Sequence, residues 1–108
     1  MAYEILVALN VTDEKEYQTY RDLMRPILLS YGGDFSFDFK VDEVLRSECS
    51  GPLNRVFTIR FPSKQNKEAF FDDGKYLRVK HAHFSASAEN VQFISEYALP
   101  CENQAKVN

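Results

Sequence analysis

The sequence predicts an α+β domain with the element order β-α-β-β-α-β, in which a four-stranded antiparallel sheet carries its helices on one face. A chain of 108 residues is long enough for one domain and too short for two. Its 44% hydrophobic and 27% charged residues are typical of a folded soluble domain. Short strand patterns and helical stripes alternate in the order of the ferredoxin-like arrangement. We therefore assign residues 1–99 to a single domain and residues 100–108 to a flexible C-terminal tail.

The first two elements are a strand over residues 3–9 and a helix that follows it. Both alternating sets of side chains in this strand are largely apolar, which indicates burial on both faces. Thr12 or Asp13 is the expected N-cap of the helix, because a short side-chain oxygen can accept from a free backbone N–H there. Apolar residues recur at helical spacing until the glycine pair 32–33 ends the helix. Pro26 is expected to kink it.

The second strand begins directly after the glycine pair. Its phenylalanines alternate with polar residues, so we expect Phe35, Phe37 and Phe39 to share one face of the sheet. Ser36 and Asp38 would then share the opposite face. The sequence leaves open whether the phenylalanine row faces the helices or the other side.

The second half of the chain repeats the pattern of strand, helix and strand. Residues 55–61 alternate as the third strand, and Ser63 is the expected N-cap of a helix that residues 72–74 interrupt. A strand over residues 90–99 completes the sheet. Its side chains are expected to divide into two faces, with Val91, Phe93 and Tyr97 on one and Ile94 and Ala98 on the other.

Charge and composition exclude several classes of function. A net charge of −3 argues against nucleic-acid binding, which needs clustered Lys and Arg. The longest apolar run, residues 5–9, is too short for a membrane span or a signal peptide, so we expect a cytoplasmic protein without membrane contact. Cys49 and Cys101 have no metal or redox spacing, and we expect two free thiols, with a disulfide as the alternative. No phosphate loop or zinc spacing is present, and we expect no cofactor.

A sheet with helices on one face leaves its other face uncovered. Leu6 and Ala8 lie on that face of the first strand. A large apolar patch of this kind is typical of an interface. The simplest partner is a second copy of the chain, which would place two sheets face to face in a closed homodimer.

Three stretches of the chain resemble the domain-of-unknown-function 1330 family within the dimeric α+β barrel superfamily: LVALNVTDEKEYQTY, YGGDFSFDF and RVFTIRFPSKQNKEAFFDDGKYLRVK. These are packing and capping motifs, so the resemblance implies the fold and a dimeric barrel more than a function. The superfamily includes cofactor-independent monooxygenases, muconolactone isomerases and haem proteins. Two positions depart from the family pattern: GPLNR replaces a tryptophan before the third strand, and His83 replaces an arginine, so a neutral imidazole would hold an anion weakly there.

The candidate site is a pocket between sheet and helices, bordered by Phe37, Phe39, Tyr76 and His83. His83 is the candidate catalytic residue, because an imidazole can accept or donate a proton near neutral pH. The alternative is a hydrogen-bonded side chain without a catalytic role. His81 and His83 are two residues apart on a predicted helix and point away from each other, so we expect no metal site.

Two further residues are candidates for ligand binding. Asp38 lies among aromatic residues, and burial would raise its pKa toward that of a useful base. Its alternation with Ser36 and Lys40 instead indicates a solvated or interface position. Arg60 on the third strand is a candidate for anion binding, with an ion pair across the sheet as the alternative.

Two functions remain as alternatives. In the first, a homodimer binds an aromatic or hydroxylated small molecule, with cofactor-free proton-transfer or oxygenase chemistry at His83 if it is an enzyme. In the second, the protein is a non-catalytic dimeric module whose predicted pocket is a filled core. An open apolar cavity with an imidazole at its wall favours the first function, and packed side chains favour the second.

Overall fold

The computed structural model of the protein describes residues 2–100 and shows one antiparallel sheet with helices on one face. Its strands are β1 (Tyr3–Val11), β2 (Asp34–Lys40), β3 (Arg55–Phe61) and β4 (Ala88–Ala98), and its helices are α1 (Glu14–Ser30), α2 (Lys64–Asp72) and α3 (Gly74–Val79), with a π-helical turn at Lys80–Phe84. The strand order β2-β3-β1-β4 confirms the predicted topology. Cys101 and residues 101–108 of the predicted tail lie outside the described residues.

Both ends of α1 follow the capping chemistry of the sequence. The Asp13 carboxylate accepts a hydrogen bond from the backbone N–H of Glu16 at 3.1 Å. At the other end Gly32 has φ +77°, and the N–H groups of Gly32 and Gly33 bond to carbonyls of the last turn at 2.9 and 3.1 Å. Glycine is favoured at this Schellman motif, because it adopts the left-handed conformation without steric cost. A Cβ on Gly33 would also lie 2.9 Å from the Phe61 ring.

The second helical region consists of separate short helices. Ser63 accepts from the N–H of Asn66 at 3.1 Å and starts α2, as predicted. Asp73 accepts from the N–H groups of Lys75 and Tyr76 at 2.7 and 3.1 Å and starts α3, which continues into the π-helical turn. No helix among residues 2–100 is long and apolar enough to cross a membrane.

The core lies between the helices and the covered face of the sheet. Odd-numbered residues of β1 from Ile5 to Val11 point into it, and Phe57, Ile59 and Phe61 of β3 lie beside them. The α1 stripe packs on top through Tyr17, Tyr20, Met24 and Leu28. Burying each large apolar side chain contributes roughly 1.5–3 kcal/mol to folding.

A β-bulge divides β2 into two halves with opposite facing. Phe35 and Phe37 pair with neighbouring residues of β3, so Ser36 is the extra residue of the bulge. Phe35 therefore packs against the core, whereas Phe37 and Phe39 lie on the uncovered face, 55% and 57% exposed. The prediction that the three phenylalanines share one face is wrong, because an inserted residue inverts every facing after it.

A second irregularity has the same effect in β4. Phe93 pairs with Val7 on the covered face, but Tyr97 pairs with Glu4 on the uncovered face, with a register shift between them. The prediction of a common face for Phe93 and Tyr97 is therefore wrong for the same physical reason. Simple alternation describes the facing of β1 and β3, whose pairing with each other has no register shift.

Candidate functional site

A cavity of about 420 Å³ lies between the sheet and the helices, where the sequence predicted a pocket. Its floor is the covered face of the sheet, including Ile5, Val7 and Ile59. The walls are rich in aromatic rings, contributed by Phe35, Phe57, Phe71, Phe84 and Phe93. Phe93 is 62% exposed, so part of the wall is in contact with solvent. The size and apolar lining suit a small organic molecule.

Tyr20 of α1 and Tyr76 of α3 are the two tyrosines that line this cavity among the described residues. Both residues are buried, 5% and 4% exposed, and their hydroxyl oxygens are 2.8 Å apart. One hydroxyl donates to the other, which uses one of the two protons. Within residues 2–100 neither hydroxyl has another hydrogen-bond partner. One O–H donor of the pair thus has no acceptor among the described residues.

Burial keeps both hydroxyls protonated. The loss of hydration raises the pKa of Tyr20 far above its ordinary value, and the neighbouring Tyr76 raises it further. Burial also raises the pKa of Tyr76, against the opposing effect of its hydrogen bond with Tyr20. Both groups therefore act as hydrogen-bond donors rather than bases near neutral pH.

Arg21 of α1 lies at the cavity wall with its guanidinium already bound. Its Cζ is 3.8 Å from the ring centroid of Phe35, a cation–π contact. Its Nε donates to the Tyr17 hydroxyl at 3.1 Å, and its two Nη atoms donate to the carboxylate of Asp38 at 3.1 and 3.3 Å. Arg55 donates to the same carboxylate at 2.9 and 3.0 Å. This network fixes the position of Arg21.

Asp38 belongs to this network and not to the cavity lining. Burial alone would raise the pKa of Asp38, but the hydrogen bonds and charges of Arg55 and Arg21 outweigh it and lower the pKa. The carboxylate therefore stays ionised and serves as the arginine partner, so the expectation of a raised pKa is wrong. The expectation that it shares a face with Ser36 is also wrong, because the bulge separates the two residues.

Lys80 of the π-helical turn is the second charged residue at the wall. Its ammonium group forms no ion pair with any of the residues the structure describes. Among those residues, no Asp, Glu or His lines the cavity, and no cluster of three or more His, Cys, Asp or Glu could hold a metal ion. The charged groups of the wall are therefore both cationic.

Of the four residues predicted to border the pocket, the structure brings only Tyr76 to the cavity. Phe37 and Phe39 point the other way because of the bulge in β2. His83 lies in the π-helical turn, where its Nδ1 is 2.5 Å from Oε2 of Glu16 on α1. The expectation that these three residues border the pocket is wrong. Tyr20, Arg21 and Lys80 line the cavity but were not predicted to do so. Of these, only Tyr20 could have been found from the sequence, because it lies on the apolar stripe of α1.

Arg60 lies on the uncovered face, where it pairs with a buried carboxylate. Its Nε is 3.5 Å from Oε2 of Glu4, which is only 4% exposed. The hydroxyls of Ser36 and Tyr97 each donate to Glu4 at 2.6 Å. Burial would raise the pKa of Glu4, but these hydrogen bonds together with Arg60 lower it. Of the two interpretations of Arg60, the structure shows the cross-sheet ion pair.

Residues 1–97 match the model of a protein family described as a domain of unknown function, DUF1330. The chain belongs to this family. The resemblance drawn from the sequence motifs is thereby confirmed over nearly the whole described chain. No functionally curated protein matches this member of the DUF1330 family.

Solved structures similar to this DUF1330 protein share its fold at low sequence identity. A protein of unknown function from Rhodopseudomonas palustris is 16% identical, with a TM-score of 0.76 over 92% of this chain and 83% of that one. SnoaB from Streptomyces nogalater, described as a cofactor-independent oxygenase, is 9% identical, with a TM-score of 0.60 over 92% and 93%. A protein from Bacteroides fragilis, described as dimeric with a ferredoxin-like fold, is 8% identical, with a TM-score of 0.51 over 91% and 96%. At these identities the likeness shows the fold alone.

Proposed function

We propose that this protein is a dimeric binding protein for a small, mainly apolar molecule that carries one hydrogen-bond acceptor. The observation that carries the proposal is the cavity of about 420 Å³ with the Tyr20–Tyr76 hydroxyl pair at its wall. Protein interiors are close-packed and hold few voids, so a space of this size is more than imperfect packing. A buried donor without an acceptor costs about 1–3 kcal/mol, which a bound ligand oxygen would recover.

The wall chemistry favours an aromatic or hydroxylated ligand. Phe35, Phe57 and Phe84 all line the cavity, and the rings of Phe35 and Phe57 meet edge to face, with planes at 70°. Aromatic pairs prefer edge-to-face or offset contacts, which add about 0.5–1.5 kcal/mol beyond their buried area. A flat ring with a single carbonyl or hydroxyl oxygen would satisfy both the rings and the free O–H of the tyrosine pair.

Binding, rather than proton abstraction, is the function that the cavity supports. SnoaB shares the fold and is described as a cofactor-independent oxygenase. Cofactor-free chemistry that begins with removal of a proton needs a base within hydrogen-bond reach of the substrate. The described residues that line the cavity include no imidazole or carboxylate, and His83 is bound to Glu16 instead. The oxygenase reaction is therefore not part of the proposal.

The proposed dimer forms through the uncovered face of the sheet. Phe37 and Phe39 are more than half exposed there, and their rings stack with centroids 6.0 Å apart and planes at 21°. Leu6 and Ala8 of β1 lie on the same face, where Leu6 is half-buried and Ala8 is already buried within the chain at 1% exposure. Exposed aromatic pairs of this kind usually become buried in an interface. A similar protein from Bacteroides fragilis is described as dimeric, which supports a dimeric state.

Thermal shift and calorimetric titration with a panel of quinols, aromatic ketones, lactones and 2-oxo acids test the binding function. A ligand at a hundredfold excess over its Kd should stabilise the native protein by about 2.7 kcal/mol. The double variant Tyr20→Phe/Tyr76→Phe should weaken a hit about tenfold, because it removes the free O–H donor whichever hydroxyl carries it. Tyr3→Phe is the matched control, since its hydroxyl binds Glu96 and Tyr3 does not line the cavity. Binding of no compound, or equal binding to the double variant, would refute the proposal.

A further inference from the structure

We propose that the cavity selects the deprotonated form of an aromatic hydroxyl ligand, so that it is an oxyanion site rather than a neutral pocket. This inference rests on the proposed binding function and adds the ionisation state of the ligand. It depends on two features of the wall, the hydrogen-bond arrangement of the tyrosine pair and the sign of the charged groups around it.

The tyrosine pair is arranged as a donor chain. Whichever hydroxyl of Tyr20 and Tyr76 accepts the internal bond keeps its own proton free for the cavity. A hydroxyl that accepts one hydrogen bond becomes a stronger donor in the next, because the bonds polarise one another. A hydrogen bond to an ionised oxygen is roughly twice as strong as one to a neutral oxygen. The pair therefore favours an oxyanion over a neutral hydroxyl.

The charged groups that face the cavity add to this preference. The helix α1 contributes Arg21, the π-helical turn contributes Lys80, and the strands contribute no charged residue among the described lining. Arg21 shares Asp38 with Arg55, and Glu14 lies 3.9 Å from Arg55, so two carboxylates balance the two guanidinium groups. Lys80 is exposed and forms no ion pair with the residues the structure describes. The described lining therefore offers an oxyanion two cationic side chains and no carboxylate, with Lys80 as the cation that is not balanced.

The apolar walls act in the opposite direction. Removing an anion from water disfavours the charged form, so an apolar pocket alone would raise the pKa of a bound phenol. The hydroxyl pair and the cations would lower it. Because the two effects have opposite signs, the direction of the shift in the bound ligand decides between an oxyanion site and a neutral pocket.

The test uses 4-nitrophenol, whose anion absorbs visible light, and its methyl ether 4-nitroanisole, which cannot ionise. The apparent pKa of nitrophenol is measured by pH titration of its absorbance with and without excess protein. We expect the bound pKa to fall by about one unit, a tenfold preference for the anion, and nitroanisole to bind about tenfold more weakly than nitrophenolate. A bound pKa that is unchanged or raised, or equal binding of the two probes, would overturn the oxyanion site.

Three variants identify the groups responsible for the shift. The double variant Tyr20→Phe/Tyr76→Phe should abolish most of it, because it removes both hydroxyls of the pair. Lys80→Gln should reduce it, while Lys75→Gln, on α3 but outside the lining, should leave it unchanged. A shift that persists in both the double variant and Lys80→Gln would overturn the assignment. If nitrophenol and nitroanisole bind equally well, only the oxyanion inference fails. If neither probe nor any panel compound binds, the proposed function fails with it.

Discussion

The two faces of the sheet are made from the same four strands but meet different surroundings. On the covered face, residues such as Ile5 and Phe61 pack under the helices, and the cavity opens between the two layers. The uncovered face combines a buried carboxylate, Glu4, with the exposed ring pair of Phe37 and Phe39. In the proposed function, one face provides an internal space for a ligand and the other provides a surface for a second copy of the chain. Ligand binding and dimerisation, the two parts of the proposed function, are thus assigned to opposite faces of one sheet.

The difference between the faces depends on the bulge in β2. If β2 paired with β3 without a bulge, strict alternation would place Phe37 and Phe39 on the covered face with Phe35. The bulge sends them to the uncovered side and places Asp38 where it can bind Arg21 and anchor the cavity wall. A single inserted residue therefore contributes to both the proposed interface and the candidate site.

The largest contrast is expected from the same substitution on the two faces. Phe61→Ala, on the covered face and almost fully buried, should lower the free energy of unfolding by about 3–5 kcal/mol, because it leaves a cavity in the core. That loss should be the same at every protein concentration. Phe39→Ala should cost less, and its cost should change with concentration because it weakens only the proposed dimer. Urea unfolding at two protein concentrations tenfold apart measures both losses of stability. If the two losses are equal and do not change with protein concentration, the two faces do not differ in the proposed way.

The proposed dimer should fail when a charge is placed on the uncovered face. Phe39→Asp would bury two carboxylates in a symmetric interface, and we expect dimerisation to weaken at least a hundredfold, about 2.7 kcal/mol. Leu77→Asp is the matched control, since Leu77 is exposed on α3 away from that face. Sedimentation equilibrium should give the monomer mass for Phe39→Asp and the dimer mass for the control and the native protein. A dimer mass for Phe39→Asp would remove the uncovered face as the interface.

The smallest effect concerns the buried carboxylate of the uncovered face. Its hydrogen bonds lower the pKa of Glu4 in the folded state. Glu4 therefore stabilises the fold above its unfolded pKa of about 4.3, and this contribution is lost as pH falls through the lower folded pKa. The native protein should therefore lose more stability than Glu4→Gln does between pH 7 and the acid limb, because only the native protein protonates this carboxylate.

Urea midpoints across this pH range measure the difference between the native protein and Glu4→Gln. Glu48→Gln is the control, because Glu48 lies exposed in the loop between β2 and β3. The control should follow the native pH profile. If Glu4→Gln follows it as well, the carboxylate of the uncovered face makes no net contribution to the fold.

Most of the secondary structure could be predicted from local chemistry, but the candidate site could not. The residues of β1 and β3 alternate regularly, and their faces follow directly from the sequence. Tyr76 was the one predicted pocket residue that lies at the cavity. His83 was misplaced because its segment forms a π-helical turn, which rotates side chains relative to an α-helix. No periodic pattern in the sequence distinguishes these two helical forms.

By itself the sequence determined the order of the elements and their ends, because caps such as Asp13, Ser63 and Gly32 act within a few residues of chain. Only the tertiary structure decided which groups meet. Tyr20 and Tyr76 are separated by 56 residues, and their hydroxyls come together only when α1 and α3 pack over the sheet. The facing of β2 after Ser36 was likewise decided by pairing with β3, since a bulge is a property of two strands and not of one.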